Sequence, residues 1–193
     1  MGRKSIKEQR VCEILDAFER CLEKKGMAGT TLENIADEAG MARRMIRHYL
    51  GNREEVITAA VVRIVDRFSK TIFAQLDHGD PKKRAKTGLN YLFSKEFNQL
   101  PDSRLVAALL PVSLYDEQVR HAVKVIYDSY LFGILKEVER EYPNASKSRR
   151  DETAYSILCL AFGGGWMTNI GFKPSYLQKN KKIALQLIEE LES

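Results

Sequence analysis

The fold is decided by residues Thr30–Glu55, whose sequence is TTLENIADEAGMARRMIRHYLGNREE. Thr30 and Glu33 form a capping-box pattern, which predicts the start of a short amphipathic helix. Gly40 after that helix is the residue type that most readily forms a tight turn. A second short helix follows the turn, and Gly51 then separates it from a longer one. The stretch therefore predicts two short helices joined by a glycine turn.

The second short helix, from about Ala42 to Leu50, has an apolar side and a basic side when its residues are placed about 100° apart. The apolar side holds Ala42, Met45, Ile46, Tyr49 and Leu50, and the basic side holds Arg43, Arg44, Arg47 and His48. In a helix-turn-helix the second helix enters the major groove of DNA. The pattern predicts contact with duplex DNA, although a basic helical face alone is also typical of an ordinary solvated surface.

The flanking segments are helical as well. An apolar stripe at i, i+3, i+4 and i+7 predicts a helix over 5–25, and Gly26 lies where a helix stop is expected. Asn52 and Glu55 predict a capped start for a long helix from Arg53 to about Leu76. We therefore predict a helix-turn-helix DNA-binding domain over 1–52 and a sensing and dimerisation domain over 53–193, with 53–77 as the connector.

The remainder of the chain shows helical periodicity without sustained strand alternation. Gly79-Asp80-Pro81 predicts the end of the connector and a new start, with Asp80 as cap. Further helices are predicted over about Pro81–Phe97, Asp102–Val112, Asp116–Glu141, Ser146–Ile170 and Ser175–Leu191. The predicted fold class is all-α, with about nine helices.

Composition narrows the function classes only moderately. The chain has 193 residues and a formal net charge of +5, which is compatible with a polyanionic partner but does not demand one. The basic segment from Arg3 to Arg10 could follow a DNA groove or could equally be a disordered tail. Cys12, Cys21 and Cys159 show no disulfide or zinc spacing, which fits a reducing cytoplasm.

Catalysis, metal binding and membrane insertion are not expected. His48, His78 and His121 lie far apart in the sequence, and neither a glycine-rich phosphate loop nor a nucleophile elbow is present. The stretch between Glu152 and Lys173 is uncharged and long enough to span a bilayer. It nevertheless contains hydroxyl groups, an amide and three glycines, so we predict no membrane span, no cofactor and no metal.

Residues 10–57 resemble the DNA-binding domain of the tetracycline-repressor-like (TetR/AcrR) family. The matching residues are Ile14, Ala17, Phe18, Gly26, Thr31, Ile35, Ala36, Ala39, Gly40, His48, Tyr49, Glu54 and Glu55. The spacing from Thr31 to Tyr49 agrees without gaps, and the helical outline agrees over the whole chain. The resemblance implies a homodimeric transcriptional regulator, often a repressor released by a small-molecule effector. Its DNA partner would be a pseudo-palindromic operator.

Within this interpretation, each arginine of the basic face can make a bidentate contact to a guanine edge or pair with phosphate. Thr31 lies at a helix N-terminus, which is a ready phosphate site, and the family position of Tyr49 implies a phosphate contact. The predicted DNA-binding residues are Thr31, Ala42, Arg43, Arg44, Met45, Arg47, His48, Tyr49 and Arg53. Ala42, Arg44, Arg47, Leu50 and Arg53 depart from the usual family residues, so the operator cannot be copied from a relative.

The helix over about 146–170 is apolar on most sides, so it needs packing partners on two sides. With the last helix it would form the four-helix dimer bundle that the resemblance implies. The predicted interface is Tyr155, Leu158, Phe162, Trp166, Ala184, Leu187 and Ile188. The run Gly163-Gly164-Gly165 indicates either close helix packing or a kink, or else room for a ligand beside Trp166.

The effector and its site are not legible from the sequence. Several aromatic residues could line a pocket, but aromatic residues at helical spacing more often belong to the core. They are Phe73, Tyr91, Phe93, Tyr127, Tyr130 and Phe132. The alternative function is a helical sensor or scaffold whose basic head binds protein or anionic lipid rather than specific DNA. A transcriptional activator also fits the pattern.

Overall fold

The computed structural model of the chain describes residues 5–77, 84–98 and 100–192. Its ten α-helices are α1 (Ile6–Lys25), α2 (Leu32–Ala39), α3 (Arg43–Tyr49), α4 (Arg53–Asp77), α5 (Arg84–Leu92), α6 (Lys95–Asn98), α7 (Pro101–Leu109), α8 (Glu117–Glu141), α9 (Lys147–Asn169) and α10 (Ser175–Glu189). Short 3-10 turns follow at Val112–Leu114 and Glu190–Glu192. The described residues include no strand, and the all-α fold class is confirmed.

One predicted helix is divided in two. The segment predicted as one helix to Phe97 forms α5 and α6, because the Ser94 hydroxyl accepts a hydrogen bond from the Phe97 amide at 3.1 Å and starts a new helix. The described part of the chain therefore has ten α-helices. The predicted cap and start at Asp80 and Pro81 lie outside the described residues, as do Arg3, Lys4, His78 and the side chain of Phe73.

Local hydrogen bonds explain where the first helices start and stop. α1 begins at a capping box formed by Ser5 and Glu8 and ends at Gly26, which has a φ of 64°. Asn52 and Glu55 form the predicted reciprocal cap, with bonds of 2.7 and 2.9 Å. The predicted cap at Thr30 is wrong. Its side chain is fully buried and donates to the Gly26 carbonyl at 2.8 Å.

Contacts divide the chain into two compact units. The first unit comprises Met1–Asp66 and Arg104–Ile126, and the second comprises Arg67–Ser103 and Tyr127–Ser193. The unit that contains the helix-turn-helix therefore continues beyond residue 52 into α4. The domain boundary at 52/53 stays a prediction.

The first unit has a core built from the predicted apolar stripes. α1 packs against α2 and α3, and its side chains of Ile14 and Phe18 are at most 1% exposed. Ile35 from α2 and Ile46 from α3 are fully buried. Burying a large aliphatic or aromatic side chain contributes roughly 1.5–3 kcal/mol, so this small core is sufficient to fix the two short helices.

The second unit packs α5 against α8, α9 and α10. Its core includes Phe93, Ile157, Ala184 and Ile188, all at most 1% exposed. α9 passes through its three glycines without interruption. A Cβ on Gly164 would lie 2.8 Å from a Leu177 methyl on α10, so that position needs glycine for close helix packing.

The three glycines differ in their surroundings. A Cβ on Gly165 would lie 2.2 Å from the Asn98 side-chain oxygen of α6, whereas a Cβ on Gly163 would meet nothing within 4 Å. Gly163 is exposed. The close-packing interpretation therefore applies to Gly164 and Gly165.

Candidate nucleic-acid interface

The predicted helix-turn-helix is present in the first unit. α2 and α3 are separated by Gly40, Met41 and Ala42, and Gly40 has a left-handed φ of 62°. The Met41 amide donates to the Ala36 carbonyl at 2.9 Å, which closes the turn after α2. Only a residue that tolerates positive φ can end α2 this way without strain.

The basic face of α3 is directed to solvent. Arg43, Arg44, Arg47 and His48 are all exposed. Within the described residues, the three arginine side chains make no hydrogen bond, ion pair or ring contact. Positions 43 and 47 are one helical turn apart, about 6 Å along the axis. The three guanidinium groups thus form a compact cationic surface available to an external anion.

α3 is held in place by its apolar side. Ile46 is fully buried, and Met45, Tyr49 and Leu50 are half-buried. Ala42 is exposed, so the prediction that it shares the buried side of the helix is wrong. As the residue before the first helical turn, it provides no side-chain cap. Its methyl group is small enough to allow a close approach of another molecule.

Thr31 stands at the N-terminus of α2, as predicted. Its hydroxyl accepts a hydrogen bond from the Asn34 amide at 3.1 Å and can still donate to an external acceptor. The side chain is exposed. Thr31 is therefore both the cap of α2 and an accessible polar group at a positive helix end.

Arg53 occupies a position that the sequence did not indicate. Its guanidinium Nε donates to the Thr30 carbonyl at 3.0 Å, and Nη2 donates to the Met27 carbonyl at 3.3 Å. These bonds tie the start of α4 to the loop between α1 and α2. The side chain is half-buried, so its geometry supports a positioning role within the first unit.

Two further ion-pair groups connect helices of the first unit and were missed by sequence reasoning. Glu38 of α2 accepts bonds from Lys24 and Arg20 of α1, which keep the pKa of its carboxyl below the usual value. Arg63 of α4 pairs with Asp16 at 2.7 Å and also with Glu19. The partners are 14 to 47 residues apart in sequence, so no local pattern could identify them.

The remaining predicted contact residue, Tyr49, is half-buried next to His48. The two rings meet edge to face with centroids 4.9 Å apart. This contact orients the histidine ring beside the basic face.

The predicted dimer residues do not share one surface. Ala184 and Ile188 are at most 1% exposed within the protomer's own core, so assigning them to the interface is wrong. Leu158 is also buried, whereas Phe162, Trp166 and Leu187 are half-buried. Tyr155 is 59% exposed. The apolar pattern of a helix does not show whether its apolar side meets its own core or a partner protomer, and this explains the errors.

The exposed side of α9 instead consists of residues spaced four apart. Tyr155, Cys159, Gly163 and Met167 are all exposed on α9. Ile183 on the neighbouring α10 is 45% exposed. We call these five residues the α9–α10 outer face. Two neighbouring helices with exposed apolar side chains are a typical four-helix interface.

The second unit also contains a cavity of about 60 Å³ among α5, α8, α9 and α10. Its lining is Arg84, Ala85, Gly88, Leu89, Leu92, Tyr130, Gly133, Ile134, Glu137, Val138, Ile157 and Ile188. Of the aromatic residues considered from sequence whose side chains the structure describes, only Tyr130 lines this cavity. Phe93 is fully buried in the core, and Phe132 is 65% exposed.

Tyr127, another of those aromatic residues, packs against Phe162 with ring centroids 4.9 Å apart. Burial raises the pKa of Tyr127 to about 12. Tyr91 packs on Phe97. These rings belong to the core, which is the ordinary interpretation of aromatic residues at helical spacing.

The structure also bears on the expectations for metal binding, membrane insertion and the cysteines. Among the described residues, no group of three or more potential ligands is arranged to hold a metal ion. No described helix is long and apolar enough to cross a membrane. The described cysteines Cys12, Cys21 and Cys159 are all free thiols.

Comparisons with known proteins agree with this geometry. Residues 14–60 match the sequence model of the family described as bacterial regulatory proteins, tetR family. The HTH-type transcriptional regulator BetI of Burkholderia mallei is 22% identical over 194 residues, covering 99% of this chain and 97% of its own.

Two solved structures have the same fold. A TetR-family regulator from Cytophaga hutchinsonii aligns with a TM-score of 0.78 at 15% identity, covering 98% of each chain. A transcriptional regulator from Saccharomonospora viridis, solved in complex with choline, aligns with a TM-score of 0.71 at 17% identity. That alignment covers 94% of this chain and 96% of the other.

The fold and the exposed basic helix define a helix-turn-helix DNA-binding transcriptional regulator. Residues 14–60 match the TetR family of bacterial regulatory proteins, so the helix-turn-helix is of the TetR type.

Proposed function

We propose that the protein is a homodimeric repressor that binds a pseudo-palindromic operator and is released by a small-molecule effector. The main support is the set of three exposed arginines on α3, which have no partner among the described residues. An arginine free of internal pairs can make a bidentate bond to guanine O6 and N7 without first losing another bond. Each half-site should therefore contain guanines within the few base pairs that α3 can reach.

In this proposal the other predicted DNA-binding residues have different roles. Thr31, with its exposed hydroxyl at the start of α2, binds a backbone phosphate, and Tyr49 reaches phosphate through its hydroxyl. Ala42 and Met45 contact the groove wall, and His48 binds a base edge or phosphate. Arg53 acts mainly by fixing the loop before α2, because two of its guanidinium nitrogens are already bonded to carbonyls.

Selection of bound sequences from random duplexes tests this proposal. We expect enrichment of a palindrome whose half-sites contain guanine. Arg47→Ala should then weaken binding to the selected site by roughly 1–3 kcal/mol and relax the preference at one position. Arg149→Ala serves as control, because Arg149 is also an exposed arginine but lies on α9 in the second unit. Equal binding of all duplexes by the wild type would refute sequence-specific recognition and favour the scaffold interpretation.

The dimer is proposed to form through the α9–α10 outer face. Gly163 has open space beyond its Cα, which would let a partner helix approach closely. Gly163→Arg should therefore yield monomers in size-exclusion chromatography with light scattering. Phe132→Glu is the matched control, since Phe132 is another exposed apolar residue of the second unit. An unchanged dimer in the Gly163 variant would exclude this face.

Release by an effector needs a ligand that binds the DNA-free form more tightly than the DNA-bound form. The choline complex of the Saccharomonospora viridis regulator supports this, since a protein of the same fold holds a small molecule. Addition of the effector should lower operator affinity by the ratio of its affinities for the two forms. A repressor and an activator are distinguished by reporter expression in cells with and without the protein.

A further inference from the structure

We propose that Arg63 is a positioning residue that fixes the helix-turn-helix on α4, so that the two reading heads of a dimer are held at one operator spacing. The reading head is the group of helices α1, α2 and α3, residues 6–49, and Arg63 lies on α4 within the first unit. The inference rests on the proposed function, because it requires a homodimer on a palindromic operator.

The guanidinium of Arg63 bonds to several points along α1. Nη1 donates to the Asp16 carboxylate at 2.7 Å and to the Cys12 carbonyl at 3.4 Å. Nε donates to the Glu19 carboxylate at 3.0 Å, and Nη2 donates to the same oxygen. We call Arg63 and these three partners the Arg63 clamp. Positions 12 to 19 span about 10 Å along the axis of α1, so one side chain holds nearly two turns of that helix.

A second arginine ties another part of the reading head to α4. Arg53 donates to the Thr30 and Met27 carbonyls of the loop between α1 and α2. Arg53 and Arg63 are ten residues apart, which places them about 15 Å apart along α4. Two attachments at that separation prevent the head from pivoting about either one.

The apolar packing of α4 does not provide this constraint by itself. Val56, Ala60 and Ile64 are at most 1% exposed and form the buried stripe of the helix. Hydrophobic burial is non-directional, and packed helices can slide past one another by small amounts. A planar guanidinium bonded to carboxylates has fixed bond directions. The Arg63 clamp therefore supplies the directional constraint that the apolar stripe lacks.

The burial of the clamp charges favours a role in positioning rather than in stability. The side chains of Arg63 and Glu19 are 18% and 17% exposed. A buried ion pair gives little net stability over apolar side chains of similar volume, because both charges lose their water. Apolar residues at positions 19 and 63 would therefore give a similar stability but would have no directional bonds.

Rigid attachment matters because a dimer binds two half-sites at once. After one head has bound, the other meets its half-site at an effective concentration that depends on how the heads are held. Rigid heads have a high effective concentration at one spacing only, whereas loosely held heads tolerate several spacings. Two base pairs inserted between the half-sites shift one of them by about 7 Å and rotate it by about 70°. The Arg63 clamp should therefore sharpen the preference for operator spacing without changing what a single head recognises.

Fluorescence anisotropy with the full-length protein and three duplexes tests this proposal. The duplexes carry the selected palindrome, the same palindrome with two added central base pairs, and a single half-site. For the wild type, the insertion should weaken binding about tenfold or more. In Arg63→Gln, the palindrome should bind about fivefold less tightly, the insertion should cost about threefold or less, and half-site affinity should stay within about twofold.

Arg20→Gln is the matched control. Arg20 also bonds to a carboxylate on another helix, since it contacts Glu38 of α2 at 2.8 Å, but this bond joins α1 to α2 rather than to α4. The variant should keep the wild-type penalty for the insertion. Arg63→Lys retains the charge without the planar fork, so its penalty should lie between those of the wild type and Arg63→Gln.

A merely structural role of Arg63 gives a different result. A partly unfolded variant binds all three duplexes less tightly by the same factor, so the ratios between them stay at the wild-type values. Unchanged ratios in Arg63→Gln would overturn the proposal. If circular dichroism shows that Arg63→Gln is unfolded, Asp16→Asn replaces it, because Asp16 is 56% exposed and its loss is milder. Asp16→Asn should reduce the insertion penalty by a smaller factor, and a full wild-type penalty in this variant would also overturn the proposal.

The role of Arg63 and the proposed function can fail separately. A wild type that binds the palindrome no more tightly than the half-site would refute dimeric recognition and the role of the clamp together. A wild type with a sharp spacing preference that every clamp variant retains would refute only the role of Arg63.

Discussion

Two helical glycines in the second unit should respond in opposite ways to an added methyl group. At Gly164 the new Cβ would lie 2.7 Å from the Asn180 side-chain nitrogen and 2.8 Å from a methyl of buried Leu177. That nitrogen is also fixed, because it donates to the Leu160 carbonyl at 3.0 Å. Overpacking of this kind costs roughly 1–3 kcal/mol. Displacing the Asn180 amide would break its hydrogen bond, which costs a further ~1 kcal/mol.

Alanine also gains about 1 kcal/mol of helix propensity over glycine. We therefore expect Gly164→Ala to lower the free energy of unfolding by about 1–2 kcal/mol. Gly133→Ala meets nothing within 4 Å and should raise the free energy of unfolding by up to ~1 kcal/mol. The two variants should thus differ by about 2 kcal/mol.

Urea denaturation followed by far-ultraviolet circular dichroism measures this difference. The protein concentration must be the same for both variants, because dissociation of a dimer contributes to apparent stability. The midpoints should move in opposite directions while the slope m stays constant. A Gly164→Ala protein as stable as Gly133→Ala would refute the close α9–α10 packing at that residue.

Three further outcomes are expected. Thr31→Ala should lose about 1 kcal/mol of stability with the cap of α2, whereas Thr31→Ser should retain it; equal melting temperatures for both variants would contradict the capping role. Arg63→Met should destabilise the first unit by about 2 kcal/mol, because charge-assisted bonds to Asp16 and Glu19 are lost; an unchanged urea midpoint would argue against these pairs in solution. The raised pKa of Tyr127, about 12 in the folded protein, means that its contribution to stability is complete below the ordinary tyrosine pKa. That contribution is lost as the pH rises from about 10 through the folded pKa. Tyr127→Phe should reduce this alkaline loss, and an identical alkaline melting profile in the variant would contradict it.

Periodicity predicted the helices well, because amphipathic stripes and glycine stops act locally. α1 begins one residue after the predicted start and ends where expected, and the Asn52–Glu55 cap is present as predicted. The cap of α2 was misplaced by one residue. Thr30 and Thr31 have the same side chain, and only the burial of Thr30 against Gly26 decides which one caps the helix.

The sequence could not show which side of each helix faces the core of the protomer. The apolar patterns of α9 and α10 did not show which side chains face the protomer core, so Ala184 and Ile188 were misplaced. The structure buries both of them and leaves Tyr155 of α9 exposed. The cavity could not be predicted from the sequence for the same reason. Its wall combines helices that are far apart in sequence, and the local signals are two glycines within helices, Gly88 in α5 and Gly133 in α8.

The recognition helix α3 illustrates a conflict between stability and function. It is seven residues long, has no side-chain cap, and has arginines rather than acidic residues in its first turn. Cations at a helix N-terminus oppose the helix dipole, and so short a helix is not stable alone. Laboratory selection for thermal stability would therefore favour acidic residues at positions 43 and 44. The same changes would remove the charges that we propose bind DNA, so a more stable variant of this protein should be a poorer regulator.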